Sequence, residues 1–198
     1  MKLKITIFLS ITITTLMFYF ISNFENVKVF AIDHSTSLIT YNNSKLNFLI
    51  HYPSNWNLTE RKFDPAIENI SSTVEITSPF EGPQDLVQEQ LLISVNKLQK
   101  DVTFDEYVDN ALNQFKREYR EFRLIANNST IIDNHEARKI SYSYIAGNDP
   151  LSIELIMNHN LILDNDRVYV LSFGTPPDKY YNYINLIQQM IDSFKILN

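Results

Sequence analysis

The segment Asp164-Asn165-Asp166 places two carboxylates and an amide in one short stretch, and His159 lies nearby in the sequence. Oxygen ligands of this kind suit a hard cation such as Ca²⁺, which takes about six to eight of them, and this segment offers about three. Asp and Asn are also common turn residues. Two interpretations stay open: a tight turn, which we favour, and a divalent-cation site (calcium or manganese) with Asp164 and Asp166 as ligands. No other cofactor is expected.

A second candidate site is the connection from Phe80 to Glu89, in which a few apolar residues lie among acidic and amide side chains. Connections of about ten residues in compact domains are more often functional than shorter ones. The residues suited to contact a protein partner are Phe80, Glu81, Asp85 and Leu86. A flexible acidic loop without a binding role is the alternative interpretation.

The motifs of the common enzyme classes are missing from the sequence. There is no Gly-x-Ser-x-Gly, and with 3 Gly in the chain there is no phosphate-binding glycine loop. The lack of Cys excludes a cysteine nucleophile, a thiolate metal site and a disulfide framework. Scattered acids leave a glycosidase-like carboxylate pair as a third hypothesis; they are Glu68, Glu75, Glu136 and Glu154. We therefore expect a protein that is not an enzyme.

The elements that would position these residues are strands and two helices. Alternating apolar residues predict strands around Phe48, Val74, Leu91 and Ile140. Residues 151–163 and 168–173 form a predicted hairpin around the Asp164 turn. One amphipathic helix begins at the capping box Thr103-Phe104-Asp105-Glu106 and runs through Glu121, and a second follows residue 178, with Asp178 as its expected cap. The order predicts an α+β fold, with a mainly antiparallel sheet of about six strands flanked by helices.

The first 31 residues have the features of an export signal. Lys2 and Lys4 precede the uncharged, apolar segment 5–21, and small residues at Val29 and Ala31 suit cleavage before Ile32. An uncleaved N-terminal membrane anchor is the alternative, because about 17 apolar residues lie at the lower limit for spanning a bilayer. We expect residues 1–31 to be the signal or anchor, 32–37 a spacer, and 38–198 a single extracytoplasmic domain.

The composition limits the partners of this domain. Without residues 1–31 the chain has 14 basic and 22 acidic side chains, a net charge of about −8. Such a domain is unsuited to nucleic acid or anionic lipid, so membrane contact is expected only through an uncleaved N-terminal segment. Five Asn-x-Ser/Thr sequons begin at Asn42, Asn57, Asn69, Asn127 and Asn128. In a chain this rich in Asn most of them arise by chance, so they add little to the argument for export.

Several motifs in residues 38–197 resemble those of PsbP-type domains. They are Phe48-x-Ile50-x-Tyr52-Pro53-x-x-Trp56, Thr103-Phe104-Asp105-Glu106-Tyr107, Asn134-x-x-Ala137, Tyr169-Val170-Leu171 and Met190-Ile191-x-Ser193-Phe194. The resemblance implies an antiparallel sheet between helices, used as a non-enzymatic binding domain on a larger assembly. The partner that it implies is an extracytoplasmic or membrane protein complex. Because these motifs are mainly structural, they indicate the fold more than the function.

Overall fold

The computed structural model describes residues 37–62, 70–83, 85, 87–150 and 152–197, and all structural statements refer to these residues. The strands are β1 (Leu38–Asn43), β2 (Phe48–Pro53), β3 (Asn57–Lys62), β4 (Ile70–Thr77), β5 (Gln90–Lys97), β6 (Arg120–Ile132), β7 (His135–Ala146), β8 (Ile153–Asp164), β9 (Arg167–Thr175) and β10 (Lys195–Ile196), and the helices are α1 (Phe104–Glu118) and α2 (Tyr180–Asp192). No helix in the described part of the chain is both long and apolar enough to span a bilayer.

The strands form two antiparallel sheets. The larger has seven strands in the order β3-β4-β5-β9-β8-β7-β6, and the smaller has three in the order β1-β2-β10. The α+β class and the antiparallel pairing are confirmed, but the main sheet is larger than the about six strands predicted. The additional edge strands, β3 and β6, have only half-buried and exposed residues among their described side chains, so they lack the buried alternation that marks a strand in a sequence.

Each face of the seven-stranded sheet has its own hydrophobic core. On β5, Leu91 and Ile93 pack towards α2 and the small sheet, whereas Leu92 packs towards α1. This alternation follows from the period of two in a strand, which sends neighbouring side chains to opposite faces. The domain therefore has three layers, and its central strands are buried on both sides.

Helix α1 begins at the predicted capping box. The hydroxyl of Thr103 accepts a hydrogen bond from the backbone N–H of Glu106 at 3.2 Å, and a Glu106 carboxylate oxygen accepts one from the Thr103 backbone N–H at 2.8 Å. The helix ends at Glu118, three residues earlier than predicted, because Tyr119 adopts an extended conformation that leads into β6. Its apolar side chains, Phe115 among them, form the core beneath it.

Helix α2 starts differently from the prediction. Its N-cap is Lys179, with no side-chain hydrogen bond to the helix, so the expected cap at Asp178 is wrong. At the other end, the Ser193 hydroxyl accepts from the backbone N–H of His51 at 2.8 Å and donates to the carbonyl of Met190 at 2.6 Å. These bonds join α2 to β2, and the adjacent Phe194 is fully buried. The start of α2 thus leaves Lys179 available for contacts outside the helix.

Candidate functional site

The connection between β4 and β5 is closed at its base by a short polar bridge. The Ser78 backbone N–H donates to the Glu89 carbonyl at 2.8 Å, and the Glu89 backbone N–H donates to the Ser78 hydroxyl at 3.0 Å. Within the loop, the Glu81 backbone N–H donates to the Asp85 carboxylate at 3.0 Å. Gly82 adopts a φ of 120°, a conformation that glycine reaches without steric cost. These contacts give the loop a defined shape.

The loop is joined to the start of α2 by one lysine. Nζ of Lys179 lies 3.0 Å from Oε2 of Glu81 and 3.7 Å from Oε1 of Glu89, and it also hydrogen-bonds to Oδ1 of Asp85. We call Glu81, Asp85, Glu89, Lys179 and Tyr183 the Lys179 cluster. Three carboxylates surround a single ammonium group, so the cluster carries an excess of negative charge when all of them are ionised.

The carboxylates of the cluster are largely shielded from water. The side chain of Glu89 is 0% exposed and that of Asp85 is 1% exposed, whereas Lys179 is 19% exposed. Burial raises the pKa of the Glu89 carboxyl above its ordinary value, although the charge of Lys179 opposes this shift. Burial alone would lower the pKa of Lys179, but hydrogen bonds to Asp85 and Glu81 outweigh it and raise that pKa. Lys179 therefore keeps its positive charge at neutral pH.

Neighbouring side chains extend the cluster into the core. The Tyr183 hydroxyl donates to Oε1 of Glu81. Burial, as the larger cause, and this bond, as the second, raise the pKa of Tyr183 above its ordinary value. The Tyr183 ring makes an edge contact with Trp56, their centroids 6.1 Å apart. In addition, the Thr175 hydroxyl donates to Oε1 of Glu89 at 3.3 Å. The loop is thus connected to β9, to α2 and to the turn after β2.

The residues predicted to bind a partner are only partly brought together. Glu81 and Asp85 both lie in the Lys179 cluster, Phe80 is half-buried beside it, and Leu86 lies outside the described residues. The sequence did not indicate Lys179, since its contact with Asp85 spans 94 positions. The sequence shows a loop with three acids and a lysine before the second predicted helix, but no sequence pattern pairs the two.

The two predicted metal ligands have different neighbours in the β8–β9 turn. Oδ1 of Asp164 lies 3.5 Å from Nε2 of His135, and Oδ2 of Asp166 lies 3.6 Å from Nζ of Lys97. Asn165 has a φ of 53°, the left-handed conformation that Asn tolerates well in turns. In the described residues there is no group of three or more acidic, His or Cys side chains that would hold a metal ion.

His159, which lies near that turn in the sequence, is buried in the core under α1. Its Nε2 is 2.9 Å from the Tyr142 hydroxyl and its Nδ1 is 2.7 Å from the Ser172 hydroxyl. The ring of Phe115 stacks on the imidazole, their centroids 5.2 Å apart. Complete burial lowers the pKa of His159 to about 4, so the imidazole is neutral at physiological pH. Its hydrogen bonds satisfy a polar group within the core.

The fold occurs in several solved structures of low sequence identity. CyanoP, the cyanobacterial PsbP of Synechocystis sp. PCC 6803, aligns with a TM-score of 0.57 and 15% identity over 86% of this chain and 98% of its own. The Ran-binding protein Mog1p of Saccharomyces cerevisiae aligns with a TM-score of 0.53 and 11% identity over 83% and 97%. LpqN of Mycobacterium tuberculosis, involved in cell envelope biogenesis, aligns with a TM-score of 0.53 and 13% identity over 84% and 88%. These similarities show the fold alone.

Sequence comparison adds the family. No protein with curated annotation matches the chain. The family model described as PsbP-like protein matches residues 21–196, which covers all the described strands and both helices. This chain belongs to the PsbP-like protein family.

Proposed function

We propose that the protein is an exported, non-catalytic PsbP-like domain that docks as an accessory subunit on a membrane or extracytoplasmic protein complex. Export is suggested by the charged start, the apolar segment 5–21 and the small residues before Ile32. Docking is suggested by the fold, which this chain shares with the Ran-binding protein named above. The partner of this chain is proposed to be a different, extracytoplasmic protein.

The observation that carries the docking proposal is the attachment of the β4–β5 loop to α2 through Lys179. A loop held by buried ion pairs loses little conformational entropy when it binds, so more of the contact energy appears as affinity. Functional loops are commonly positioned in this way by a rigid scaffold. Pro83 is exposed at the tip of the loop, and Phe80 and Glu81 are partly exposed beside it. We assign the partner contact to this tip.

Site-directed photo-crosslinking of the full chain in membranes of the cells that make it tests the proposal. A photoreactive residue replaces Pro83 at the loop tip, and in a matched control it replaces Asp101. Asp101 is also exposed but lies beyond the opposite end of β5. We expect one abundant adduct from position 83, identified by mass spectrometry, and none from position 101. Equal adducts from both positions, or none from position 83, would overturn the assignment of the loop.

The location of the chain is measured in the same cells. Protease added to intact cells is expected to digest an exported domain, and sequencing of its N-terminus distinguishes a signal cut before Ile32 from an intact anchor. Protection of the chain from the protease in intact cells, with digestion after lysis, would contradict export.

A further inference from the structure

Three long strands lie at the edges of the two sheets: β1 in the small sheet, and β3 and β6 in the large one. An edge strand exposes unpaired backbone N–H and C=O groups, which pair readily with a strand from another molecule. Proteins commonly prevent this with charged side chains, proline or a β-bulge on the edge.

Parts of these edges have such protection. Strand β3 contains Glu60 and Arg61, and the first half of β6 contains Arg120, Glu121 and Arg123. The pairing of β6 with β7 also shifts register twice before residue 126, as β-bulges do. These stretches are therefore poor templates for a new strand.

Two stretches have none of these features. Strand β1 and the segment 126–132 of β6 contain no charged residue and no proline, and both pair in regular register with their neighbours. Each exposes large apolar side chains, including Ile39 in β1 and Ile131 in β6, which is 73% exposed. By general rules these are the stretches most prone to edge-to-edge association.

Both stretches contain an exposed sequon. Asn42 with Ser44 lies at the end of β1, and Asn128 with Thr130 lies in the middle of 126–132; all four residues are exposed. The sequons in the described residues all begin on edge strands. Asparagine alone does not explain this, because the buried asparagines of central strands β5 and β8 begin no sequon; they are Asn96, Asn158 and Asn160. The position of the sequons, and not their number, carries the argument.

We propose that Asn42 and Asn128 carry N-linked oligosaccharides, which shield the two uncharged edge stretches. The inference rests on the export part of the proposed function, because the co-reactant is a lipid-phosphate-linked oligosaccharide at a membrane. In the transfer, the bond between the sugar C1 and the phosphate oxygen breaks and a bond from C1 to Asn Nδ2 forms. The amide loses one proton to a base of the transferase, and the lipid phosphate leaves.

The test is glycopeptide and intact-mass spectrometry of the full chain isolated from the cells that make it. We expect an oligosaccharide mass on Asn42 and on Asn128, and we expect Asn42→Gln and Asn128→Gln each to remove one such mass. Ser44→Ala and Thr130→Ala keep the asparagine but destroy the sequon, so they should remove the same masses. The triple variant N42Q/N127Q/N128Q, which also removes the overlapping sequon at Asn127, should show concentration-dependent β-sheet oligomers by light scattering, whereas Asn158→Gln keeps both oligosaccharides.

The outcomes separate this inference from the proposed function. An exported chain, digested by external protease, that has unmodified Asn42 and Asn128 would overturn the glycan and leave export standing. A chain protected inside the cell and unmodified would overturn both. If a photoreactive residue at position 131, which leaves the Asn128 sequon intact, crosslinks to a partner strand, the edge is open for docking and the shielding role is wrong.

Discussion

Nε2 of His159 lies 2.9 Å from the hydroxyl oxygen of Tyr142, so this imidazole belongs to a polar chain within the core. In the sequence it stands five positions before Asp164, close to the predicted turn. Strand geometry explains the difference, because five residues of an extended strand cover about 16 Å. Distance along a strand, and not proximity in sequence, separates His159 from the turn.

The neutral state of His159 predicts a loss of stability in acid. Its pKa is about 4 in the folded protein, below the usual value near 6.5 that applies when unfolded. Between these two pH values the unfolded chain binds the proton and the folded chain does not. The contribution of neutral His159 to the free energy of unfolding is therefore present above pH 6.5 and is lost as pH falls towards 4. The loss is about 3 kcal/mol in total.

Urea denaturation at intervals from pH 7 to pH 4 measures this contribution. His159→Gln is expected to be less stable at pH 7, because the Tyr142 and Ser172 hydroxyls lose good geometry, but to have a flatter pH profile. His51→Gln, at a half-buried position on β2, serves as the control and should keep the wild-type slope. If the free energy of unfolding of His159→Gln changed with pH as steeply as that of wild type, another group would be responsible for the pH dependence.

Removal of the ammonium group of Lys179 should strongly destabilise the domain. Lys179→Met leaves the buried carboxylates of Asp85 and Glu89 without their cation, and breaking a buried pair from one side costs about 3 kcal/mol or more. The matched control is Lys97→Met, whose partner Asp166 is 3.6 Å away and solvent-exposed, so its cost should be below about 1 kcal/mol. Chemical denaturation at pH 7 gives both free energies of unfolding.

The pH dependence of Lys179→Met distinguishes lost charge from lost packing. Without the lysine, the buried carboxyls favour their protonated forms, so the folded state binds more protons than the unfolded state. The difference in free energy of unfolding between Lys179→Met and wild type should then become smaller as pH falls towards 4. A deficit that is constant from pH 8 to pH 4 would mean that packing, and not charge, is responsible.

The capping box of α1 gives a smaller and more local prediction. Thr103→Ala removes the acceptor of the Glu106 backbone N–H and should lower the free energy of unfolding by about 1 kcal/mol. Thr103→Ser retains the hydroxyl and should lie within a few tenths of wild type. Urea denaturation compares the two, and equal losses would show that the methyl group of Thr103 matters more than its hydroxyl.

The β8–β9 turn provides a test of the cation hypothesis. Asp164 lies close to His135, and Asp166 lies close to Lys97. We therefore expect added Ca²⁺ to leave the thermal midpoint of the wild type unchanged, and likewise those of Asp164→Ala and Asp166→Ala. Asp178→Ala, an exposed acid at the start of α2, is the control. A saturable Ca²⁺ titration in calorimetry that is lost in Asp164→Ala, but retained in Asp178→Ala, would establish the site.

The sequence predicted the elements whose burial has a clear period. Helix α1, helix α2 and the β8–β9 hairpin were found because apolar residues recur on one face or alternate along a strand. Strand β6 was missed because most of its thirteen residues are exposed, so that neither face stands out. The acidic residues of the candidate site could be predicted from the composition of the β4–β5 loop. Lys179 could not be predicted, because it contacts the loop only in the folded protein.

The placement of Phe194 has a consequence for the order of events during synthesis. Its ring is fully buried between Phe48 of β2 and Tyr169 of β9, with centroids 5.5 Å and 5.7 Å away. The core on this face therefore stays incomplete until residue 194 has left the ribosome, although domains often begin to fold during translation. A nascent chain that has not reached residue 194 cannot complete this core, although its first residues are already outside the ribosome. That delay would suit the export proposed above, in which the polypeptide passes through a membrane pore before it folds.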